Sequence, residues 1–313
     1  MLVFLPFLSC IEQNRGEKMR NILAAEYPVI EEARKTGRGN SFFLELIKST
    51  IVLFIMICIT GVISDLLCAF IPENVAYEPW DSIVVLYSEI FSVAIGILYC
   101  TVFEQRSLRS VGFSHPICKP YGIGALIGIL AVSLVVLIST ICRGLRFSYI
   151  NTRVSIPIQI LLLGGFIIQG LSEEVLCRGY IFVSIARKSS VSLACLGSSV
   201  LFCLIHIFND GFSFIPMLNL VLFGILESLL FLKTNNIWAA GAFHSVWNYV
   251  QGCVYGLNVS GNGFTDSIVV FEQTDKKFVN GGIFGPEGSI ITTIVLLVAM
   301  AVLVVIMNQE TAK

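Results

Sequence analysis

Charged side chains are scarce in this sequence: Asp, Glu, Lys and Arg together make up 13% of its 313 residues. A soluble domain usually carries about 25%. The 20 basic and 21 acidic residues nearly cancel, so the chain has no large basic surface of the kind that binds nucleic acid. Hydrophobic residues supply 56% of the chain, and the mean hydropathy is +0.85. These values exclude an ordinary soluble domain and indicate a membrane protein.

The sequence also lacks the usual marks of a disulfide framework or a zinc site. Ten cysteines are present, but none are spaced as C-x-x-C, and most lie in apolar segments, where a thiol behaves as a small hydrophobe. H-E-x-x-H, the usual zinc-protease spacing, is absent. The opening segment MLVFLPFLSC lacks a basic n-region and an A-x-A cleavage site, so it is a poor signal peptide. Whether residues 1–18, which precede Met19, are genuine stays open.

Long apolar segments predict about eight membrane-spanning helices. A span needs roughly 20 mostly apolar residues, and eight segments approach that length. They are Ile47–Phe70, Ser82–Val102, Gly122–Cys142, Ile156–Val175, Val191–Phe208, Phe214–Leu232, Ile237–Leu257 and Ser289–Met307. The predicted fold is therefore an all-α, polytopic transmembrane helix bundle.

Charge and polarity divide the chain into five parts. They are residues 1–45, a cytoplasmic N-terminal segment; 46–155, the first transmembrane helices; 156–257, a core with polar groups; 258–288, a polar, Gly-rich loop; and 289–313, the last transmembrane helix and tail. Lys and Arg gather before the first span and after the second, fourth and sixth spans, which predicts that both termini are cytoplasmic in a multi-pass plasma-membrane protein. The acidic loop Pro72–Asp81 suits the outside, whereas Arg143, Arg146 and Arg153 disagree with this orientation.

Ionisable residues interrupt the apolar pattern of the fourth predicted span. A charge at the bilayer centre costs roughly 2.5–3.5 kcal/mol on insertion scales, so it persists only when it is paired or when function needs it. Glu174 and Arg178 are four residues apart and share a helix face, where they can form an ion pair. The side chain of Glu173 points about 100° away from that of Glu174 around the helix axis, so it does not pair with that arginine. The structural alternative is a helix end whose charged side chains reach the membrane interface.

Two further motifs place histidines and an asparagine in apolar spans. Phe202-x-x-x-His206 lies in the fifth predicted span, and His244-x-x-x-Asn248 lies in the seventh. Each motif alone is compatible with a structural role, such as a histidine bonded to a backbone carbonyl. Together with Glu173 they offer a base, a water-orienting imidazole and donors for an oxyanion. The combination predicts an active site in a polar intramembrane cavity that opens to the cytoplasm or to lipid.

The order and spacing of these motifs resemble the CAAX prenyl endopeptidase type II family, also called the CPBP intramembrane proteases, which includes bacteriocin-processing and abortive-infection-like proteins. The family's marks are E-E-x-x-x-R, F-x-x-x-H and H-x-x-x-N, and all three occur in order between Ile156 and Gly252. By this resemblance, the protein is expected to be an intramembrane endopeptidase.

The resemblance also implies a role for each motif residue. Glu173 would act with His206 to activate a water molecule, while His244 and Asn248 would stabilise the oxyanion. The residues expected to support this site are Glu174, Arg178 and Phe202.

The resemblance leaves the cofactor and the substrate open. A metal-free glutamate mechanism is favoured; if zinc is bound instead, its ligands would be Glu173, His206 and His244. The expected partners are the lipid bilayer and a membrane-bound peptide or protein, either a CAAX-type tail or a leader peptide or bacteriocin. A prokaryotic source would favour peptide maturation or self-immunity. The alternatives are a transporter or channel, and a catalytically silent immunity or scaffold protein. Glu227, in the sixth predicted span, either faces the cavity or is protonated.

Overall fold

The computed structural model describes residues 26–71, 79–264 and 266–311, most of which lie in helices. Residues 1–25, which are most of the predicted N-terminal segment, lie outside the described residues, as do residues 72–78 of the acidic loop and residues 312–313 of the tail. The nine cysteines within the described residues are all free thiols. This agrees with the rejection of a disulfide framework.

The helices and strands are numbered here in chain order. The helices are α1 (Pro28–Arg34), α2 (Phe42–Cys68), α3 (Trp80–Phe103), α4 (Cys118–Ile141), α5 (Ile156–Ala186), α6 (Val191–Leu204), α7 (Phe214–Thr234), α8 (Ile237–Tyr249), α9 (Lys277–Asn280) and α10 (Ile290–Thr311). The strands are β1 (Leu145–Ile150) and β2 (Val269–Gln273). Turns of π-helix cover Tyr99–Phe103, Val175–Phe182 and Val250–Val254. Turns of 3-10 helix cover Leu108–Val111, Gly282–Phe284 and Pro286–Gly288.

Six helices within the described residues are long and apolar enough to cross a membrane, namely α2, α3, α4, α5, α7 and α10. They correspond to six of the eight predicted spans, and the all-α, multi-pass membrane fold is confirmed. Only 22% of the apolar window of α2 is buried, so most of this helix presents apolar side chains outward, as lipid contact requires.

The fifth and seventh predicted spans are shorter helices than expected. Helix α6 has 14 residues and ends at Leu204, before His206. Helix α8 has 13 residues and continues to Val254 only through the π-helical turn. Both segments contain the polar motif residues, which interrupt the long apolar run that a regular span needs.

Helix α5 is longer than the fourth predicted span, because it ends at Ala186 and not at Val175. Arg178 follows the predicted end of this span and would belong to the cytoplasmic basic residues after it, which is wrong. Arg178 is fully buried within the π-helical part of α5. Its ion pair with Glu174, one helical turn earlier, offsets the unfavourable burial of a charge.

A two-stranded antiparallel sheet, which the sequence pattern did not predict, joins two loops of the bundle. Strand β1 pairs with β2 so that Leu145 lies opposite Gln273. Arg146 of β1 contacts the carboxylate of Glu272 on β2. One of the three arginines that disagree with the predicted orientation therefore has a carboxylate partner within the polar loop 258–288.

A buried ion cluster connects helix ends on the opposite side of the bundle from this sheet. The carboxylate of Glu104 lies 3.0 Å from Arg187, 3.3 Å from Arg106 and 2.6 Å from Lys48. Burial acts to raise the pKa of Glu104, but the neighbouring cations outweigh it and hold that pKa below its usual value. The basic residues after the second and fourth predicted spans thus meet at one end, as their charge pattern predicted.

Helices α4 and α8 approach closely through two glycines that form a G-x-x-x-G motif. A Cβ atom at Gly124 would lie 2.0 Å from the carbonyl oxygen of Ala239, and one at Gly128 would lie 2.7 Å from that of Phe243. Small residues at this spacing let helix backbones pack together in membranes. The contact fixes the position of α8, which carries His244.

Candidate active site

A cavity of about 570 Å³ lies among helices α3, α5, α6, α7, α8 and α10. The four residues that the sequence predicts as catalytic all line it, namely Glu173, His206, His244 and Asn248. Its other walls include Asp81 in the first turn of α3 and the loop from Val259 to Phe264. In the orientation predicted from Lys and Arg, these two segments are on the outside, so this end of the cavity would face away from the cytoplasm.

Glu173 and His244 are neighbours in the cavity. Oε2 of Glu173 lies 3.6 Å from Nε2 of His244, and the two side chains are 19% and 4% exposed. This oxygen has no hydrogen-bond partner among the described residues, whereas Oε1 accepts a hydrogen bond from Gln169 over 2.6 Å. The carboxylate therefore has one oxygen held in place and one buried oxygen without a hydrogen-bond partner among the described residues.

Glu174 lies behind His244 and is fully buried. Its Oε1 lies 3.0 Å from Nδ1 of His244 and accepts a hydrogen bond from Nη1 of Arg178 over 2.8 Å. Arg178 also donates from Nη2 to the carbonyl oxygen of Gly224 over 2.9 Å, and its guanidinium lies 5.0 Å from the centre of the Phe202 ring. The ion pair predicted from the four-residue spacing is thus present, and it holds the carboxylate against the imidazole.

His206 lies just beyond the C-terminal end of α6. Its Nδ1 is 2.9 Å from the carbonyl oxygen of Phe202, four residues earlier. The Phe202 ring lies near both histidines, with its centre 4.9 Å from the ring of His206 and 5.8 Å from that of His244. If Nδ1 carries the proton that this carbonyl accepts, Nε2 of His206 is the nitrogen left for the cavity.

Gln169 is a site residue that sequence reasoning missed. It donates to Glu173 and accepts, at its Oε1, a hydrogen bond from Nδ2 of Asn248 over 3.0 Å. The signal was available, because Gln169 is a polar residue in an apolar span and lies four residues before Glu173 on the same helix face.

Glu287 is a second missed residue, and it lies outside the predicted core of 156–257. It lines the cavity and is buried. Its Oε1 accepts a hydrogen bond from Nε1 of Trp247 over 3.1 Å, and its Oε2 accepts from the backbone N–H and the hydroxyl of Ser260, each over 2.7 Å. Burial raises the pKa of Glu287, although the hydrogen bonds from Ser260 oppose this. Its contacts are 27 and 40 residues away in sequence, so no local pattern marks it.

The zinc ligands that the resemblance implies do not converge closely. Among the described residues, one group of three His, Cys, Asp or Glu side chains has ligand atoms that all lie within 4.8 Å of one another, and it consists of Glu174, Glu227 and His244. Glu173 and His206 are not part of it. The arrangement therefore gives no support to a metal held in the cavity by Glu173, His206 and His244.

The fold and this site together define a class: a multi-pass helical membrane protein with a Glu–His–Asn cluster in a cavity of its helix bundle. The family model described as type II CAAX prenyl endopeptidase Rce1-like matches residues 155–250 of the chain. This segment carries all three motifs, so the resemblance drawn from them is confirmed there.

A curated relative supports the same part of the chain. UPF0177 protein YxdF of Lactococcus lactis subsp. lactis (strain IL1403) is 38% identical over 121 residues, which are 39% of this chain and 63% of that protein. The chain therefore spans somewhat less than two thirds of the length of this relative.

Proposed function

We propose that this protein is an intramembrane endopeptidase that hydrolyses a peptide bond of a membrane-associated peptide or protein. The observation that carries the proposal is the 3.6 Å approach of Glu173 to His244 in a cavity that His206 and Asn248 also line. The family model over residues 155–250, whose description names an endopeptidase, supports the same activity.

Glu173 is the proposed general base. Its Oε2 has no hydrogen-bond partner among the described residues and can accept a proton from water. The water oxygen then attacks the carbonyl carbon of the scissile bond, while the proton passes to Glu173. The same proton is delivered to the amide nitrogen as the C–N bond breaks, which leaves a new carboxyl terminus and a new amino terminus. His206 would orient the water through Nε2.

His244 and Asn248 are the proposed donors to the oxyanion. Glu174 faces Nδ1 of His244, so a doubly protonated ring would direct its Nε2–H toward the cavity. Asn248 has two N–H groups on Nδ2, and only one is needed for the hydrogen bond to Gln169. Removing one such donor lowers kcat by about 100- to 1,000-fold in other hydrolases.

The proposed substrate is a leader peptide or a bacteriocin-like peptide, cut either for maturation or for self-immunity. The relative described above is bacterial, and protein prenylation is mainly eukaryotic, so a CAAX-type tail is the less favoured substrate. The proposed location is the plasma membrane, with both termini in the cytoplasm.

The direct experiment compares variants in lipid nanodiscs. The full-length protein is incubated with membrane-anchored peptides that carry leader-type or CAAX-type sequences, and products are identified by mass spectrometry. Glu173→Gln should lower the cleavage rate by about 100- to 10,000-fold, because it removes the base. Glu272→Gln, the same change at an exposed position on β2, is the matched control and should cleave at the wild-type rate. An unchanged rate in Glu173→Gln contradicts the assignment.

A further inference from the structure

We propose that Glu174, Glu227 and His244 form a binding site for one divalent metal ion, such as zinc, located behind the catalytic cavity and not within it. The proposal rests on the proposed function in one respect only, which is the role of His244 as a donor to the oxyanion. It replaces the ligand set implied by the family resemblance, whose members do not converge in this way.

The ligand atoms of the three side chains lie close to the separation that a metal ion needs. Their ligand atoms lie within 4.8 Å of one another, and Oε1 of Glu174 is 3.0 Å from Nδ1 of His244. Zinc accepts imidazole nitrogen and carboxylate oxygen at about 2.0–2.2 Å, which places neighbouring ligand atoms of a tetrahedral site roughly 3.3 Å apart. Glu174 and Glu227 must therefore turn toward His244 as the metal binds.

Glu227 is the observation that points to a missing partner. It is fully buried, and neither of its carboxylate oxygens has a hydrogen-bond partner among the described residues. Oε2 of Glu174 is also buried without a partner. A bare carboxylate in a dry helix bundle is strongly unfavourable unless a proton or a cation neutralises it. The three free oxygens are therefore candidates for the same cation.

The nearby arginine does not balance the negative charge of the site. Three carboxylates interact electrostatically with the single guanidinium of Arg178, namely those of Glu173, Glu174 and Glu227. One divalent cation makes this group electrically neutral. The competing explanation is that two protons, one on Glu227 and one on His244, neutralise the group in place of a metal ion. Arg178 contacts Oε1 of Glu174 and leaves Oε2 of that residue for the metal.

The location of the site determines what the metal does. His244 lines the cavity, whereas Glu174 and Glu227 are not among the described residues that line it. A metal bound at Nδ1 of His244 is thus separated from the substrate by the imidazole ring. It fixes the ring so that Nε2 is the protonated nitrogen and faces the cavity. The metal therefore acts on the reaction by positioning a hydrogen-bond donor.

The test measures zinc binding and needs no substrate. The full-length protein, purified without added metal, is titrated with zinc chloride in competition with a chromogenic chelator. The wild type should bind one zinc ion per chain. Glu227→Gln, which keeps the shape of the side chain, should bind zinc more weakly by at least about tenfold, because a ligand is lost. His206→Ala is the matched control for the other ligand set and should bind zinc as the wild type does.

The proposal is overturned if the wild type does not bind zinc stoichiometrically, or if Glu227→Gln binds zinc as tightly as the wild type. It is also overturned if His206→Ala loses zinc binding while Glu227→Gln keeps it. A thermal unfolding transition establishes that each variant is folded. If Glu227→Gln does not fold, cobalt added to the wild type should give the visible absorption of a tetrahedral nitrogen and oxygen site, and its absence also overturns the proposal. His206→Ala should retain zinc but lose peptide cleavage, so the metal site and the protease activity can fail separately.

Discussion

Gln169 donates a hydrogen bond to Oε1 of Glu173 over 2.6 Å, and its own Oε1 accepts one from Asn248 over 3.0 Å. One amide group therefore sets the position of the proposed base on α5 and of a proposed oxyanion donor on α8. Because both groups must be placed to well within 1 Å of their productive positions, we infer that Gln169 is a positioning residue of the site.

Gln169→Leu should lower kcat by about 100-fold and leave KM within a small factor of the wild-type value, since the base and the donor lose their alignment. Steady-state cleavage of a membrane peptide measures both constants. Gln309→Leu, the same substitution near the end of α10, is the matched control and should have no effect. A pure increase in KM would instead assign Gln169 to substrate binding.

Arg178 should be essential for folding stability as well as for activity. Arg178→Met leaves the buried carboxylate of Glu174 without its cation, and breaking such a pair costs about 3–5 kcal/mol. Arg178→Lys loses the planar contact with Phe202 but keeps the positive charge. Its free energy of unfolding should therefore fall less than that of Arg178→Met. Denaturant unfolding of the purified variants gives the two values, and equal stability of Arg178→Met and the wild type would contradict this prediction.

The packing of α4 against α8 offers a test that does not touch the polar residues. Gly124→Ala places a methyl group 2.0 Å from the carbonyl oxygen of Ala239, so α8 must shift, at a cost of about 1–3 kcal/mol. Cleavage should fall with stability, because α8 carries His244.

The control for this substitution lies in the same helix. A Cβ atom at Gly122 would have no atom within 4 Å apart from its chain neighbours and the backbone of its own helix. Gly122→Ala should therefore retain activity and gain roughly 0.5–1 kcal/mol from helix propensity. If both alanine variants behave alike, the close approach of α4 and α8 does not position the site.

The sequence predicted those parts of the fold and the site that depend on local patterns. Six spans follow from the apolar content of single segments, and the pair Glu174–Arg178 follows from the four-residue spacing on one helix. The pairing of β1 with β2, and the contact of Glu287 with Trp247, join residues far apart in the chain and leave no local signal. The continuation of α5 to Ala186 is also not predicted, because a charged residue such as Arg178 ends an apolar run in the sequence. In the structure Arg178 is buried with Glu174 and belongs to the helix.

The ion cluster around Glu104 predicts how stability depends on pH. Its pKa in the folded protein is held below the usual value of 4.5, so the unfolded chain takes up the proton first as the pH falls. The stability from this carboxylate is fully present above about pH 4.5 and is lost as the pH drops through the lower, folded-state pKa. Glu104→Gln should be less stable at neutral pH and should show a flatter decline below about pH 4.5. Denaturant midpoints across this range measure both effects, and parallel profiles for the two proteins would contradict the assignment.

The central claim is that Glu173 activates water to cut a peptide bond in the membrane cavity. Its most direct test is a reaction of the reconstituted protein with a membrane-anchored peptide in oxygen-18-labelled water, followed by mass spectrometry of the products. The wild type should place one labelled oxygen in the new carboxyl terminus, and Glu173→Gln should yield almost no product in the same time. Equal amounts of labelled product from both proteins would contradict the claim.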